Sequence, residues 1–264
     1  MSDFTDQVTF VTGAGSGIGR ATALAFAKQN AQVVIADINE MNGQETVRQL
    51  QQVGAGALFV RCDVADPAQI ESAIRATVSA FGRLDIAVNN AGIGGKYGRI
   101  TEQLPEDFDQ MMAVNVGGVF YGMQAQLRQM LAQQADNNGR TDSHIPSGRI
   151  VNVSSIAGVR GMPMGAPYSA AKHAVIGLTK TAALEYARQN IRINAVCPVY
   201  THSTMVEELI SKAPGMEERL RRMIPMGRFG QPEEVAQTIL WLCSPENTFC
   251  TGQAIQVDGG MTAG

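Results

Sequence analysis

Tyr168 and Lys172 stand four positions apart in Tyr-Ser-Ala-Ala-Lys. The alanine-rich continuation predicts a helix, which would put phenol and ammonium on one face. A free phenol, with a pKa of about 10, is a poor proton carrier at neutral pH. A cation about 4 Å away at an effective dielectric of 20 contributes roughly 4 kcal/mol, or about 3 pK units. That shift would bring Tyr168 into the range of a working acid and base. Taken alone, Tyr-x-x-x-Lys is also an ordinary solvated pair on a helix surface, so its meaning rests on what the chain places around it.

The elements that would do the placing are legible as alternation. Short apolar, β-branched runs at 8–12, 32–37, 57–62, 84–89, 149–155, 191–197 and 253–257 are separated by longer amphipathic stretches, as in βαβ units on a parallel sheet. The expected fold is α/β: a single-domain, Rossmann-like, doubly wound fold with a seven-stranded parallel sheet. Helices are expected to begin near Gly17, Glu40, Pro67, Pro105, Ala166 and Pro232, with the three prolines in first turns. The polar run from Gln133 to Ser147 reads as an exposed loop before the fifth strand.

Composition narrows the partners. In 264 residues, 45% hydrophobic and 17% charged with net charge −3, no basic surface is expected to dominate binding, which argues against nucleic acid and anionic lipid. No uncharged apolar run reaches the roughly 18 residues needed to cross a bilayer, so a soluble cytoplasmic protein is expected. Cys62, Cys197, Cys243 and Cys250 form no Cys-x-x-Cys and read as buried filler. His144, His173 and His202 offer no metal-ligand spacing, and no metal is expected.

The first strand runs into Gly13-Ala-Gly-Ser16-Gly17-Ile18-Gly19 and then into a good helix former. Glycines let backbone amides approach a ligand, and a helix N-terminus carries about half a positive charge, a combination suited to pyrophosphate. The second strand ends at Asp37, at the interval of a dinucleotide fingerprint. A carboxylate there can accept both ribose hydroxyls and would repel a 2′-phosphate, so NAD is expected over NADP. Arg20 is the dissenting charge and reads as a solvated side chain beyond the third glycine.

These motifs together resemble the short-chain dehydrogenase/reductase family, over essentially the whole chain. The matching residues are Thr12-Gly13-x-x-x-Gly17-x-Gly19, Asp63-Val64, Asn89-Asn90-Ala91-Gly92, Asn115, Ser155, Tyr168-x-x-x-Lys172 and the segment from Pro198. The resemblance implies that Asp63 and Val64 hold the adenine edge and that Asn90, Ala91 and Gly92 close the sheet end beneath the cofactor. It further implies that Ser155, rather than the structural Ser154, fixes the substrate oxygen. Tyr168 would transfer the proton, and Lys172 would lower its pKa and bond the nicotinamide ribose. Asn115 would kink a helix and hold a water near Lys172.

One segment departs from the family pattern: Pro198-Val199-Tyr200-Thr201-His202-Ser203 has Val199 where relatives carry glycine. An extended backbone would accept valine, whereas a positive φ would strain it. The Thr201 backbone and the Ser203 hydroxyl are expected to hold the nicotinamide carboxamide. By family position, mostly apolar stretches at 93–96, 156–157, 162–164 and 205–209 line the substrate pocket, with Lys96 solvated. That suits a hydrophobic secondary alcohol or ketone, alicyclic or aryl. Residues 198–228 would form a lid with helical pieces at 205–212 and 216–223 and a hinge at Pro214-Gly215. A homotetramer is implied by resemblance. A 3-oxoacyl thioester reductase and a catalytically silent dinucleotide-binding protein are the alternatives.

Overall fold

The computed structural model describes residues 3–136, 147–211 and 213–263. Seven parallel strands form one sheet: β1 (Val8–Thr12), β2 (Gln32–Asp37), β3 (Ala57–Arg61), β4 (Ile86–Asn89), β5 (Gly148–Val153), β6 (Ile191–Pro198) and β7 (Ala254–Val257). Their spatial order is β3-β2-β1-β4-β5-β6-β7. The winding reverses between β1 and β4, and in such sheets ligands bind at that reversal, outside the carboxyl ends of the strands. Every residue of β1, β4, β5 and β6 is buried, as expected where helices cover both faces.

The helices are α1 (Gly17–Ala27), α2 (Glu40–Gln52), α3 (Pro67–Phe81), α4 (Pro105–Met112), α5 (Gly118–Asp136), α6 (Ala166–Tyr186), α7 (Thr204–Ile210), α8 (Met216–Arg222) and α9 (Pro232–Cys243). Six of them start where the sequence places them, for local reasons. Pro67, Pro105 and Pro232 occupy first turns, where the missing N–H costs nothing. Asn39 and Asp66 cap α2 and α3 by accepting from Asn42 N and Ala68 N at 3.0 and 2.9 Å. Phe26, Leu50, Val235 and Ile239 fill one face of the sheet. Ile70, Met123, Met130 and Val175 fill the other. Burying a side chain such as Phe26 or Leu50 contributes ~2–3 kcal/mol.

Four expectations are corrected. The fourth crossover helix does not give way at Gln133: α5 continues to Asp136, because the Gln133 side chain accepts from Leu84 N at 2.7 Å and donates to Leu84 O at 3.0 Å. Residues 137–146, most of the expected loop, lie outside the described residues. Strands trim by one or two residues at Cys62, Leu84, Ser155 and Gln253. The helix expected over 205–212 spans Thr204–Ile210. Cys62, Cys197 and Cys243 are buried, but Cys250 is half-buried.

Asn89 belongs to a buried amide network rather than to a turn. Its amide nitrogen donates to Asn152 Oδ1 at 2.9 Å and to Gln126 Oε1 at 3.1 Å, and Gln126 donates back at 2.7 Å. Asn152 donates to Thr179 Oγ1 at 2.9 Å. These groups tie β4 and β5 to α5 and α6, and a satisfied buried network fixes one packing of the helices under the cleft. Among the described residues no helix is long and apolar enough to cross a membrane.

Candidate active site

The carboxyl end of β1 opens into the glycine loop. Gly13 and Gly17 have φ of 62° and 50°, the left-handed region that favours glycine. A Cβ on Gly19 would stand 2.2 Å from Gly13 O, so α1 can approach the loop only without a side chain there. Ser16, the extended residue before α1, makes no side-chain cap, and the first turn holds no acidic residue. The N-terminal amides of α1 are therefore presented without a side-chain acceptor of their own, in a cradle that side chains would fill. This fits a pyrophosphate. Ile18 turns inward against the core.

Neighbouring residues brace the loop. Thr12 Oγ1 accepts from Asn90 N and Ala91 N, both at 3.0 Å, and Asn90 Nδ2 donates to Thr12 O and Gly13 O at 2.9 and 3.0 Å. Asp37 Oδ2 accepts from Gly15 N at 2.7 Å, and its Oδ1 accepts from Asn39 N at 2.8 Å. Both oxygens keep capacity for further donors, since a carboxylate offers about four lone-pair sites. Arg20 is not a solvated side chain. Its guanidinium donates to Gly15 O, to Thr46 Oγ1 at 3.0 Å and to Asn42 O at 3.4 Å, while Thr46 donates to Ala14 O at 3.0 Å. Thr46 went unread because a bracing group of this kind carries no motif. Asp63 Oδ1 accepts from Ala65 N at 2.9 Å, shaping the turn after β3, and Val64 is buried against Gly118.

Across the reversal, α4 passes into a π-helical turn over Ala113–Gly117, which contains Asn115, before α5. The fully buried Asn115 side chain accepts from Ile93 N at 2.8 Å and donates to Ile93 O at 2.9 Å. A Cβ on Gly92 would lie 3.0 Å from Asn115 Oδ1 and 3.6 Å from Lys172 Nζ. The two side chains thus converge on one glycine.

Ser155, Tyr168 and Lys172 come together at the ends of β5 and α6. The Ser155 hydroxyl neighbours the Tyr168 phenol and donates to Pro198 O at 3.5 Å. It also accepts from Ala157 N at 3.2 Å, which fixes it at the start of a short 3-10 turn. Ser154 instead donates to Lys172 O at 2.8 Å, a structural role. Lys172 is 5% exposed; its ammonium donates to Val153 O at 2.9 Å and lies 5.6 Å from the centre of the Tyr168 ring.

This corrects the expected electrostatics. Burial pushes the Tyr168 pKa up, with the neighbouring Ser155 hydroxyl opposing it, and the lysine is turned toward a strand carbonyl. Burial also holds Lys172 down to about 8 from an ordinary 10.5. The cleft without cofactor therefore holds a neutral phenol beside a weakened ammonium.

The segment after β6 resolves the Val199 question. Val199 is not among the residues with positive φ, and its N–H donates to Val257 O at 3.2 Å, continuing the ladder with β7. Its side chain is buried with Ile156, Leu220, Ile224 and Phe229. Thr201 donates to Val199 O at 2.9 Å, and Ser203 donates to Thr201 O at 3.1 Å while capping α7. A Cβ on Gly17 would meet Ser203 Cβ at 3.5 Å, so this segment reaches across the glycine loop. Lys96 is exposed and paired with Asp107 at 3.0 Å.

A parallel sheet reversed at β1 and β4, a pyrophosphate cradle and a Ser-Tyr-Lys cluster define a dinucleotide-dependent oxidoreductase. The family model described as enoyl-(acyl carrier protein) reductase matches residues 13–262. The 2,5-dichloro-2,5-cyclohexadiene-1,4-diol dehydrogenase of Sphingobium indicum is 39% identical over 263 residues, covering 100% of both chains. The cyclohexanol dehydrogenase of an Acinetobacter species is 40% identical over 98% of this chain and 96% of that one. The crystal structure of 3-ketoacyl-(acyl-carrier-protein) reductase from Brucella melitensis complexed with NADH superposes with a TM-score of 0.88 at 34% identity, covering 98% of this chain and 100% of that one. The chain belongs to the short-chain dehydrogenase/reductase family, and it is an oxidoreductase.

Proposed function

We propose that this enzyme transfers a hydride between NAD(H) and a hydrophobic, alicyclic secondary alcohol or ketone, with Tyr168 as the proton-transfer group. The observation that carries the reading is the meeting of Ser155, Tyr168 and Lys172 at the end of β5 and the start of α6, with the Ser155 hydroxyl fixed by Ala157 N at 3.2 Å and the Lys172 ammonium 5.6 Å from the centre of the Tyr168 ring. A nicotinamide held at the glycine loop would supply the hydride acceptor for oxidation of the carbinol carbon, or the hydride donor for reduction of the carbonyl carbon. Ser155 holds the substrate oxygen beside the phenol. Tyr168 accepts the hydroxyl proton during oxidation and donates it during reduction. Lys172, drawn from Val153 O toward a bound ribose, would bring its charge to the phenol and favour the tyrosinate that burial alone disfavours. Asn115 would stand at the start of a proton path to solvent, and Asp63 and Val64 would flank the adenine. Thr201 and Ser203 would hold the carboxamide, with α7 and α8 as the lid.

Support for an alicyclic substrate comes from the two relatives whose names specify ring alcohols, at 39% and 40% identity over nearly the full chains. Asp37 supports NAD. In the expected result, cyclohexanol is oxidised with NAD faster than with NADP, and an acetoacetyl thioester is a poorer substrate for reduction than cyclohexanone. The reverse thioester preference would favour a 3-oxoacyl reductase, the activity named for the NADH-bound structural neighbour.

Asp37→Ala should raise the NADPH-to-NADH efficiency ratio by ~10-fold or more, by removing the repulsion of a 2′-phosphate. The ratio is the quantity to read, because losing the Gly15 bond also loosens the loop for both cofactors. An unchanged ratio would take Asp37 off the ribose. By family resemblance the assembly is proposed to be a homotetramer in the cytoplasm, and sedimentation equilibrium tests the first part.

A further inference from the structure

The segment between β6 and α9 leaves the sheet at Tyr200 and returns at Gly230, and its two ends are tied together. Gly230 N donates to Tyr200 O at 2.9 Å, and His202 N donates to Gly230 O at 3.0 Å. Beyond that neck the two helices bury little. α7 has no buried residue, and α8 buries only Leu220. Leu220 enters a small cluster with Ile156, Val199, Ile224 and Phe229, none of which belongs to the clusters on the two faces of the sheet.

Of these five, Ile156 and Val199 come from the sheet side, and both adjoin the Ser155 site. Ile156 follows Ser155 directly, inside the turn where Ala157 N donates to the serine hydroxyl. Val199 follows Pro198, whose carbonyl accepts from that hydroxyl at 3.5 Å. Val199 is also the residue that stands where the family pattern has glycine. Its N–H bonds Val257 O and its carbonyl accepts from Thr201 Oγ1, so a glycine here would keep both bonds and bring no side chain to the cluster.

Resting on the reading of α7 and α8 as the lid, we propose that Val199 is a positioning residue for the substrate. Its side chain fastens the lid to the end of the sheet, so that the lid stands over the cleft before ligands bind. Substrate then binds without having to order the lid, and the gain falls on KM. Two buried methyl groups are worth about one decade in such an equilibrium. A cavity of about 120 Å³ adjoins Val199, Ile224 and Val257, so a larger aliphatic side chain has room to replace the valine.

The test uses Val199→Ala, which keeps the extended backbone and removes both methyl groups. In trypsin digestion of the protein without cofactor, cleavage after Arg219 and Arg222, both exposed on α8, should be ~10-fold faster than in the parent. Cleavage after Arg75, exposed on α3, should keep its parental rate. The KM for whichever of cyclohexanone and an acetoacetyl thioester the enzyme reduces with NADH should rise ~10-fold, with kcat changed by no more than about threefold. Val199→Ile, which grows into the adjoining cavity, should keep parental lid cleavage and KM. Parental lid cleavage or a parental KM in Val199→Ala overturns the anchor. So does equal acceleration at Arg75 and Arg219, the mark of a general loss of stability. Leu220→Ala separates the anchor from the lid itself: a KM raised there and parental in Val199→Ala keeps the lid and removes Val199, whereas a parental KM in both removes the lid as well.

Discussion

Tyr168→Phe is expected to lower turnover in both directions by ~10³-fold while NADH affinity stays near that of the parent. The substitution removes one oxygen and keeps the ring that lines the cleft. What is lost is the phenol that neighbours the Ser155 hydroxyl, and with it the route by which a proton enters or leaves the substrate oxygen. Water could replace the phenol as a proton carrier, but it would lack the fixed position that Ser155 and α6 provide. The fold should be little affected, since Tyr168 is half-buried and Ser155 keeps its bonds to Ala157 and Pro198. Steady-state kinetics paired with NADH fluorescence titration separates the two effects. Retention of more than a few per cent of parental kcat would remove Tyr168 as the acid and base.

Ser155→Ala should act at the same point with a smaller loss, ~10²-fold, because it removes an orienting group and leaves the proton carrier. A loss as large as that of Tyr168→Phe would mean that the serine, not the tyrosine, governs proton transfer.

The sheet was readable because each strand is a short apolar run whose neighbours are hidden by helices, and because prolines and capping residues mark helix starts locally. Gln133 was misread for the opposite reason. A polar residue in a polar run carries no local sign that its amide will bond Leu84, which is distant in sequence and adjacent in space. Arg20 follows the same logic: its partners, Gly15 O and the Thr46 hydroxyl, belong to the loop and to α2, and only folding brings them within reach. The Tyr-x-x-x-Lys spacing gave the shared helix face but not the direction of the ammonium. A buried lysine turns to whichever acceptor is nearest, and here that is a strand-end carbonyl 2.9 Å away.

That commitment has a measurable consequence. Lys172 titrates near 8 in the folded protein and near 10.5 when unfolded. The unfolded chain therefore binds more protons between those values, and stability rises with pH across that window. The penalty for burying the ammonium is fully present below about pH 8 and gone above 10.5. Its size is on the order of 3 kcal/mol, with no discount for solvent at a side chain this enclosed. Lys172→Met fills the same space without charge and forfeits one hydrogen bond to Val153 O, about 1 kcal/mol. The variant without cofactor should therefore be more stable than the parent by ~2 kcal/mol at pH 7, and no more stable than the parent by pH 10.5. Other titrating groups cancel in the comparison of urea midpoints at matched protein concentration. A stability difference that is the same at both pH values would mean that the ammonium is not the source of the penalty. If the difference is present at pH 7, then the lysine is kept at a cost to the fold, and the loss of turnover in the same variant identifies what that cost maintains.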